Sequence, residues 1–363
     1  IFLKAFPEYF QLLDLQDYPG QGSAYVGILD AFMDNKGGMA AEEFDGFCDE
    51  IVPLSIMPKY CWSNNEIFTA EIKLSNYSKE ALSKKNLSWT LSKAHSNVNV
   101  ARGEFPINIS QGHLGEVGKI KVPLQDINTA TQLVLTLQTG PHVNKYDIWV
   151  YPDKEASVKS DIKKTSSLKQ ALDLLQQGNK VLYIPDHKEV EKLSVGGLFT
   201  PDYWNYAMFK NISEWLKRDV SPGTLSILTD PSHPLFKEFP TETHSNWQWW
   251  IISKNSRPFI LDRTPKDYKP LVQVIDNIER NHKLGLIFEM QVGKGKLLVC
   301  MCDLKAISDK PEGKQFGQAI IDYMSSADFA PKNEYTAEDI KSLFSTSIKE
   351  KKIVGVKNIT TYK

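Results

Sequence analysis

One stretch of this chain crowds together tryptophan, histidine and amide side chains, and that combination has the chemistry of a sugar-binding surface. His244, Asn246, Trp247, Gln248, Trp249 and Trp250 lie in a segment bounded by prolines, as do Trp204 and Tyr206 further upstream. Aromatic faces stack on the C–H faces of pyranose rings while amides bond hydroxyl groups. A buried core or a domain interface uses the same residues equally well, because tryptophan dominates buried area. If residues 247–250 form a strand, alternation sends Trp247 and Trp249 to one side and Gln248 and Trp250 to the other. A second polar set, Asp276, Asn277, Arg280 and Glu289, suits either the cap of a sugar pocket or an ion pair at a solvated sheet edge.

A different chemistry is open to the loop Gln16-Asp17-Tyr18-Pro19-Gly20-Gln21-Gly22, which follows the apolar run over residues 9–15. A strand, a Gly-x-Gly turn and a helix can cradle a pyrophosphate at the helix N-terminus. Here the dinucleotide fingerprint is broken, since Tyr25 stands where the third glycine belongs and Pro19 intrudes. Alternatively the loop closes the last βα unit of a (β/α)8 barrel. Polar residues at that strand end face the active site, so Gln16 and Asp17 would contact substrate hydroxyls or support residues that do. A plain structural turn is the third reading. The helix expected next starts at Ser23 and carries Tyr25, Ile28, Leu29, Phe32 and Met33 on one face. One strand and one helix need neighbouring strands, so the chain reads as the C-terminal part of a larger protein.

Composition narrows the rest. With 363 residues there is length for two or three domains, and 41% apolar and 24% charged residues are ordinary for globular material. A net charge of -1 without long basic runs leaves no footprint for nucleic acid or an anionic membrane. No apolar stretch approaches a membrane span. The four cysteines are too few for a disulfide framework, and Cys300 and Cys302 read as small hydrophobes in a buried strand rather than metal ligands or a redox loop. No cofactor is expected.

Further along, Phe68, Ala70, Ile72 and Leu74 alternate with Thr69, Glu71, Lys73 and Ser75. More strands are expected over 87–91, 105–109, 119–124, 132–137 and 146–151, without an intervening amphipathic helix, so residues 51–152 read as an immunoglobulin-like β-sandwich. After Pro152 the pattern mixes helices with apolar strands. Ser167 caps a helix bearing Leu168, Ala171, Leu172 and Leu175 and closed by Gly178, ahead of a strand over 180–184. Strands follow over 225–228, 249–252, 259–261, 271–275, 284–292 and 296–302, the last two joined by a turn at Gly293-Lys294-Gly295, with a helix over 313–324. This is the pattern of a three-layer α/β domain spanning 153–331. Thr336 to Asp339 resembles a capping box before a short helix in the tail, 332–363.

The residues 10–32, from Phe10 through Gln16-Asp17-Tyr18-Pro19-Gly20-Gln21-Gly22 to Phe32, resemble the barrel end of large bacterial glycoside hydrolases related to family 2, the β-galactosidase and β-glucuronidase group. The resemblance continues at Val52-Pro53-Leu54, Phe239-Pro240-Thr241, His244-Ser245-Asn246-Trp247-Gln248-Trp249-Trp250 and Val274-Ile275-Asp276-Asn277-Ile278-Glu279-Arg280-Asn281. It implies that residues 1–50 are the remnant of a (β/α)8 barrel whose catalytic glutamates lie upstream. Retaining hydrolysis needs one carboxylic acid to protonate the leaving oxygen and one carboxylate to attack, and nothing makes Asp14 and Asp17 converge as such a pair. The α/β segment is similar to glutamine-amidotransferase-like and flavodoxin-like domains, but Cys300 and Cys302 sit within a strand without the tight elbow a nucleophile needs. Two functions stay open: the accessory C-terminal part of an exo-acting glycosidase acting on oligo- or polysaccharides, or a carbohydrate-binding or scaffold module without a catalytic role. The resemblance also implies the periplasm or the cell surface.

Overall fold

Polar and apolar residues at alternate positions can satisfy a pleated strand only if one face is covered, and the first half of the chain is built on that condition. In this computed structural model, residues 15–18, 27–96, 98–154, 161–197 and 206–345 are described. They form a mixed α and β structure that divides into two compact units, Ile1–Asp153 and Lys154–Lys363.

In the first unit a short helix, α1 (Ala41–Asp45), precedes the strands β1 (Ile51–Ile56), β2 (Cys61–Ser63), β3 (Ile67–Asn76), β4 (Leu82–Lys93), β5 (Asn99–Ile109), β6 (His113–Pro123), β7 (Thr131–Thr139) and β8 (His142–Tyr151). β3 pairs with β1 and β6 to make a three-stranded antiparallel sheet, while β2, β8, β7, β4 and β5 lie side by side in a second sheet. Phe68, Ile72 and Leu74 of the first sheet share one core with Leu87, Leu91, Leu133, Leu135 and Ile148 of the second. Each such side chain contributes roughly 1.5–3 kcal/mol when fully buried. Tyr146 of β8 stitches the two sheets, because its hydroxyl accepts the Ser55 amide of β1 at 3.1 Å and the Asn144 side chain at 3.0 Å.

The helix expected from Ser23 is not formed over its described part. Residues 23–26 lie outside the described residues, and Leu29 instead bridges Gln16 and Asn35. The cause is local: the Asp30 carboxylate accepts the amides of Phe32 (2.8 Å) and Asp34 (3.0 Å), a turn that competes with helical bonding. Met33 takes a left-handed φ of 70° and Phe32 stands 86% exposed, so the anticipated apolar face does not exist there.

The second unit is a mixed sheet clothed by helices. Its elements are β9 (Ile162–Thr165), α2 (Leu168–Gln176), β10 (Lys180–Tyr183), α3 (Tyr206–Trp215), β11 (Ser226–Thr229), α4 (Trp249–Lys254), β12 (Phe259–Ile260), β13 (Val272–Ile275), β14 (Leu284–Val292), β15 (Gly295–Cys300), α5 (Pro311–Ser325), β16 (Glu334–Tyr335) and α6 (Ala337–Ser345). The strand order is β11-β13-β14-β15-β10-β9, with β12 and β16 pairing on β14. β9, β10 and β15 run parallel, whereas β14 meets β15 antiparallel through the Gly293-Lys294 turn, Gly293 supplying a φ of 54°.

One face carries Val181, Tyr183, Phe288, Met290, Leu297 and Val299, packed against Ala171 and Leu175 of α2 and Ile340, Leu343 and Phe344 of α6. Glu289 points to the opposite face, where its Oε2 accepts the Tyr323 hydroxyl of α5 at 2.7 Å. Both expected caps are present. Ser167 Oγ accepts the Gln170 amide, and Thr336 exchanges bonds with Asp339 at 2.8 and 3.1 Å.

Candidate functional site

The aromatic segment begins with a turn, and the turn decides which tryptophans see solvent. Asn246 Oδ1 accepts the Gln248 amide at 3.1 Å, its Nδ2 donates to Glu242, and its carbonyl accepts the Trp249 amide. Residues 249–254 then continue as the helix α4, so the strand anticipated over 249–252 is corrected here. A Trp-Trp-Ile-Ile run is apolar enough for either structure. The preceding turn and the burial of Trp249, Ile252 and Ser253 at helical spacing select the helix.

Helical spacing sorts these side chains differently from the strand alternation. Trp249 is fully buried, its ring edge-on to Phe239 at 5.5 Å and Phe316 at 5.4 Å, with Nε1 donating to Thr241 Oγ1 at 2.8 Å. Gln248 is buried and donates to the Pro240 carbonyl. Trp247 and Trp250, three positions apart, are 39% and 47% exposed, with centroids 6.5 Å apart and planes tilted by 58°. His244 is exposed on the same segment, its Nδ1 3.4 Å from Thr243 Oγ1. The surface of this segment therefore offers two indole faces and an imidazole, while Asn246, Gln248 and Trp249 hold its shape. Trp204 lies outside the described residues.

Asp276, Asn277 and Arg280 come together just after β13, but their bonds turn inward. Arg280 Nε lies 3.0 Å from both Asp276 oxygens, its Nη1 donates to Tyr206 Oη at 3.1 Å, and its Nη2 donates to the Pro222 carbonyl. The guanidinium also lies over the Tyr206 ring, 4.9 Å from its centroid. Asp276 further accepts the amides of Asn277 (3.0 Å) and His282 (2.9 Å), and Asn277 Oδ1 accepts the Arg280 amide at 2.8 Å. His282 Nδ1 meets Asp262 at 2.8 Å. This is a buried lock between the β13 loop and α3.

Asp17 is treated likewise. Its carboxylate takes Lys36 Nζ at 2.9 and 3.0 Å and the Gly27 amide at 2.9 Å, and only 6% of the residue is exposed. Gln16 is exposed beside it, bridging Leu29 through its backbone. Asp14 lies outside the described residues.

The cysteines have no nucleophilic setting. Cys300 and Cys302 are fully buried, and burial pushes the Cys300 thiol up to about 12 and the Cys302 thiol well above its ordinary value. Among the described residues no group of three or more histidine, cysteine and acidic side chains is placed to hold a metal ion. No described helix is long and apolar enough to cross a membrane. What sequence reasoning missed is a cleft of about 300 Å³ lined by His187, Gly196, Gly197, Lys254, Asn255, Ser256, Arg257 and Asp303. Its lining comes from four separated stretches, and no periodicity or motif links them.

Comparison with known proteins returns two family matches and distant structural likenesses. Residues 66–152 match the model described as Domain of unknown function (DUF8488). No curated protein matches. Among solved structures, a β-glucosidase from Listeria innocua in complex with glucose is 13% identical, with a TM-score of 0.23 over 28% of this chain and 16% of that one. The β-glucosidase EmGH1 from Erythrobacter marinus is 6% identical, with a TM-score of 0.23 over 28% and 15%. The sporulation control protein Spo0M from Bacillus subtilis is 9% identical, with a TM-score of 0.22 over 30% and 51%. The aligned part is thus about a sixth of either β-glucosidase, and likenesses of this size carry no argument. The remaining match, over residues 163–345, takes in more than half of the 363 residues, and by it the chain belongs to the family described as Domain of unknown function (DUF8487).

Proposed function

We propose that this chain is a non-catalytic, glycan-binding accessory region of a larger glycoside hydrolase of the family 2 kind. The observation that carries the reading is the tilted, half-exposed pair Trp247 and Trp250 on a segment that the side chains of Asn246 and Gln248 hold in place. Tilted indole faces exposed three residues apart are a platform for neighbouring sugar rings, and burying them against a ligand returns the apolar area they leave in water. In this proposal residues 51–152 are an immunoglobulin-like spacer, residues 153–331 an amidotransferase-like, flavodoxin-like domain without its chemistry, and residues 1–50 the end of the barrel. Cleavage of the glycosidic bond belongs to the upstream glutamates, since the buried thiols and the Lys36-bound Asp17 supply neither acid nor nucleophile.

A second reading, a purely structural module, is favoured by the inward-turned lock at Asp276 and Arg280. Affinity electrophoresis of the chain through gels containing neutral polysaccharides separates the two. Glycan binding is expected to retard the protein, and Trp247→Ala or Trp250→Ala to weaken it about tenfold each, an aromatic contact being worth roughly 1–1.5 kcal/mol. Unretarded migration through every glycan gel sinks the proposal and leaves the structural module. Nitrophenyl glycosides are expected to remain uncleaved.

A further inference from the structure

We infer that the cleft at the carboxyl ends of β10 and β15 binds a hydroxylated organic anion of about monosaccharide size. This site does not rest on the Trp247 and Trp250 pair and stands or falls separately. Its frame is built from bonds to backbone carbonyls. The Met301 carbonyl accepts both His187 Nε2 at 3.1 Å and the Arg257 amide at 3.0 Å, fixing the loop after β10 to the stretch between α4 and β12. The Asp303 amide donates to the Asn255 carbonyl at 2.8 Å, and the Gly197 amide to the Ser256 carbonyl at 3.1 Å. Crevices beyond the carboxyl ends of parallel strands are where open α/β sheets take ligands, and here β15 has a parallel neighbour on one side and an antiparallel one on the other.

Gly197 is bare of a side chain of necessity. A Cβ on Gly197 would lie 2.1 Å from Ser256 Oγ and 2.7 Å from the Ser253 carbonyl, so a side chain there displaces the wall. Charge then selects the ligand. Lys254 and Arg257 both line the cleft, and neither makes an ion pair among the described residues. Arg257 Nε donates to Ser194 Oγ at 3.2 Å, which holds one edge of the guanidinium in place, and the planar group is of the kind that meets a planar anion with paired donors. Two cations set in one cleft, without an ion-pair partner among the described residues, call for an anionic group, and a carboxylate or phosphate ester meets a guanidinium fork in two parallel bonds.

The remaining lining is uncharged or acidic. Asn255 is one such group. Asp303 is held by the amides of Lys305 and Ala306, each at 3.1 Å, and His187 Nε2 is committed to the Met301 carbonyl, which leaves Nδ1 as an acceptor when the ring is neutral. A carboxylate and an imidazole acceptor beside two cations suit hydroxyl groups carried on the same small molecule. A volume of about 300 Å³ stands at the small end of ligand sites and admits one sugar ring rather than a chain.

Titration calorimetry on the full chain, with glucuronate, glucose 6-phosphate, glucose, acetate and inorganic phosphate each at millimolar concentration, tests this. At least one of the two sugar anions is expected to bind, at least about tenfold more tightly than glucose, acetate or phosphate. Which of the two binds distinguishes a carboxylate from a phosphate ester. Arg257→Gln is expected to weaken binding at least about tenfold, and the exposed Lys254→Gln, which leaves the frame untouched, several-fold. Heats that vanish for both sugar anions overturn the inference. So does binding of acetate or phosphate as tight as that of the sugar anions, or an affinity unchanged in the two variants.

Discussion

Asp276 and Arg280 show how enclosure turns reactive residue types into structural ones. The carboxyl side chain is 1% exposed and the guanidinium 15%, yet the bonds to Tyr206, Pro222, Asn277 and His282 leave both charges well partnered. Such a pair stabilises little beyond what its desolvation costs, but removing one partner strands the other. Arg280→Ala is therefore expected to lose about 3–5 kcal/mol in urea denaturation, and the double change Asp276→Ala with Arg280→Met to cost less than the two single changes summed. His233 makes a pH-dependent case. Burial lowers its pKa from 6.5, opposed by Asp230 and Asp328, and its Nδ1 accepts the Leu235 amide at 3.2 Å. The unfolded chain thus takes up the proton more readily than the folded one. The stability this group contributes is whole above pH 6.5 and is lost as pH falls through its folded value. In denaturation midpoints followed from neutral pH downward, His233→Asn should flatten that acid loss, and a slope unchanged by the substitution contradicts it. Residue type made Asp276, Arg280 and the tryptophans visible in the sequence. Whether they face a ligand or one another was not visible, because Tyr206 lies 74 positions from Arg280 and Pro222 lies 58.

At the scale of elements, legibility followed the sharpness of the periodic signal. β3 reads from its residues because Phe68, Ala70, Ile72 and Leu74 bury one face against a single core. The hairpin at Gly293 and the cap at Thr336 read equally well, each being a local arrangement complete within a few residues. Two segments misread for opposite reasons. Residues 27–35 have helical spacing, but the Asp30 side chain captures the amides a helix would use. Residues 249–252 are continuously apolar, and the turn at Asn246 tips the segment 249–254 into a helix. The helix makes a sharp contrast testable at two adjacent residues. Trp249→Ala opens a cavity among Phe236, Phe239 and Phe316 and is expected to cost about 3–5 kcal/mol, whereas Trp250→Ala should stay within about 0.5 kcal/mol. Equal losses in thermal denaturation would show that residues 249 and 250 share one environment, as no helix with this packing allows. The cleft lining was illegible for a related reason: Gly197, Arg257 and Asp303 are brought together by backbone bonds, and His187 by its ring nitrogen on the Met301 carbonyl, between stretches far apart in the chain.

At the scale of the whole molecule, the chain carries two compact units, each with a core of its own. The sandwich core is closed by Phe68, Leu91, Leu135 and Ile148, and the α/β core by Tyr183, Phe288, Leu297 and Phe344, without a residue in common. Cooperativity follows shared buried surface, so units with separate cores are expected to melt separately and to break the two-state description. Scanning calorimetry of the chain should therefore resolve two transitions. Residues 40–153 and residues 161–345, produced as separate polypeptides, should each keep one of them, because the two sets retain all the residues of the sandwich core and of the α/β core just named. The same division assigns the proposed binding. Trp247, Trp250 and the cleft lining all belong to the second unit, so glycan retardation and the heats of sugar-anion binding should stay with residues 161–345 and be absent from residues 40–153. A single transition in the whole chain, with neither piece folded alone, would mean that the two cores depend on each other. Binding carried by the first piece instead would remove the indole pair and the cleft together from any account of function.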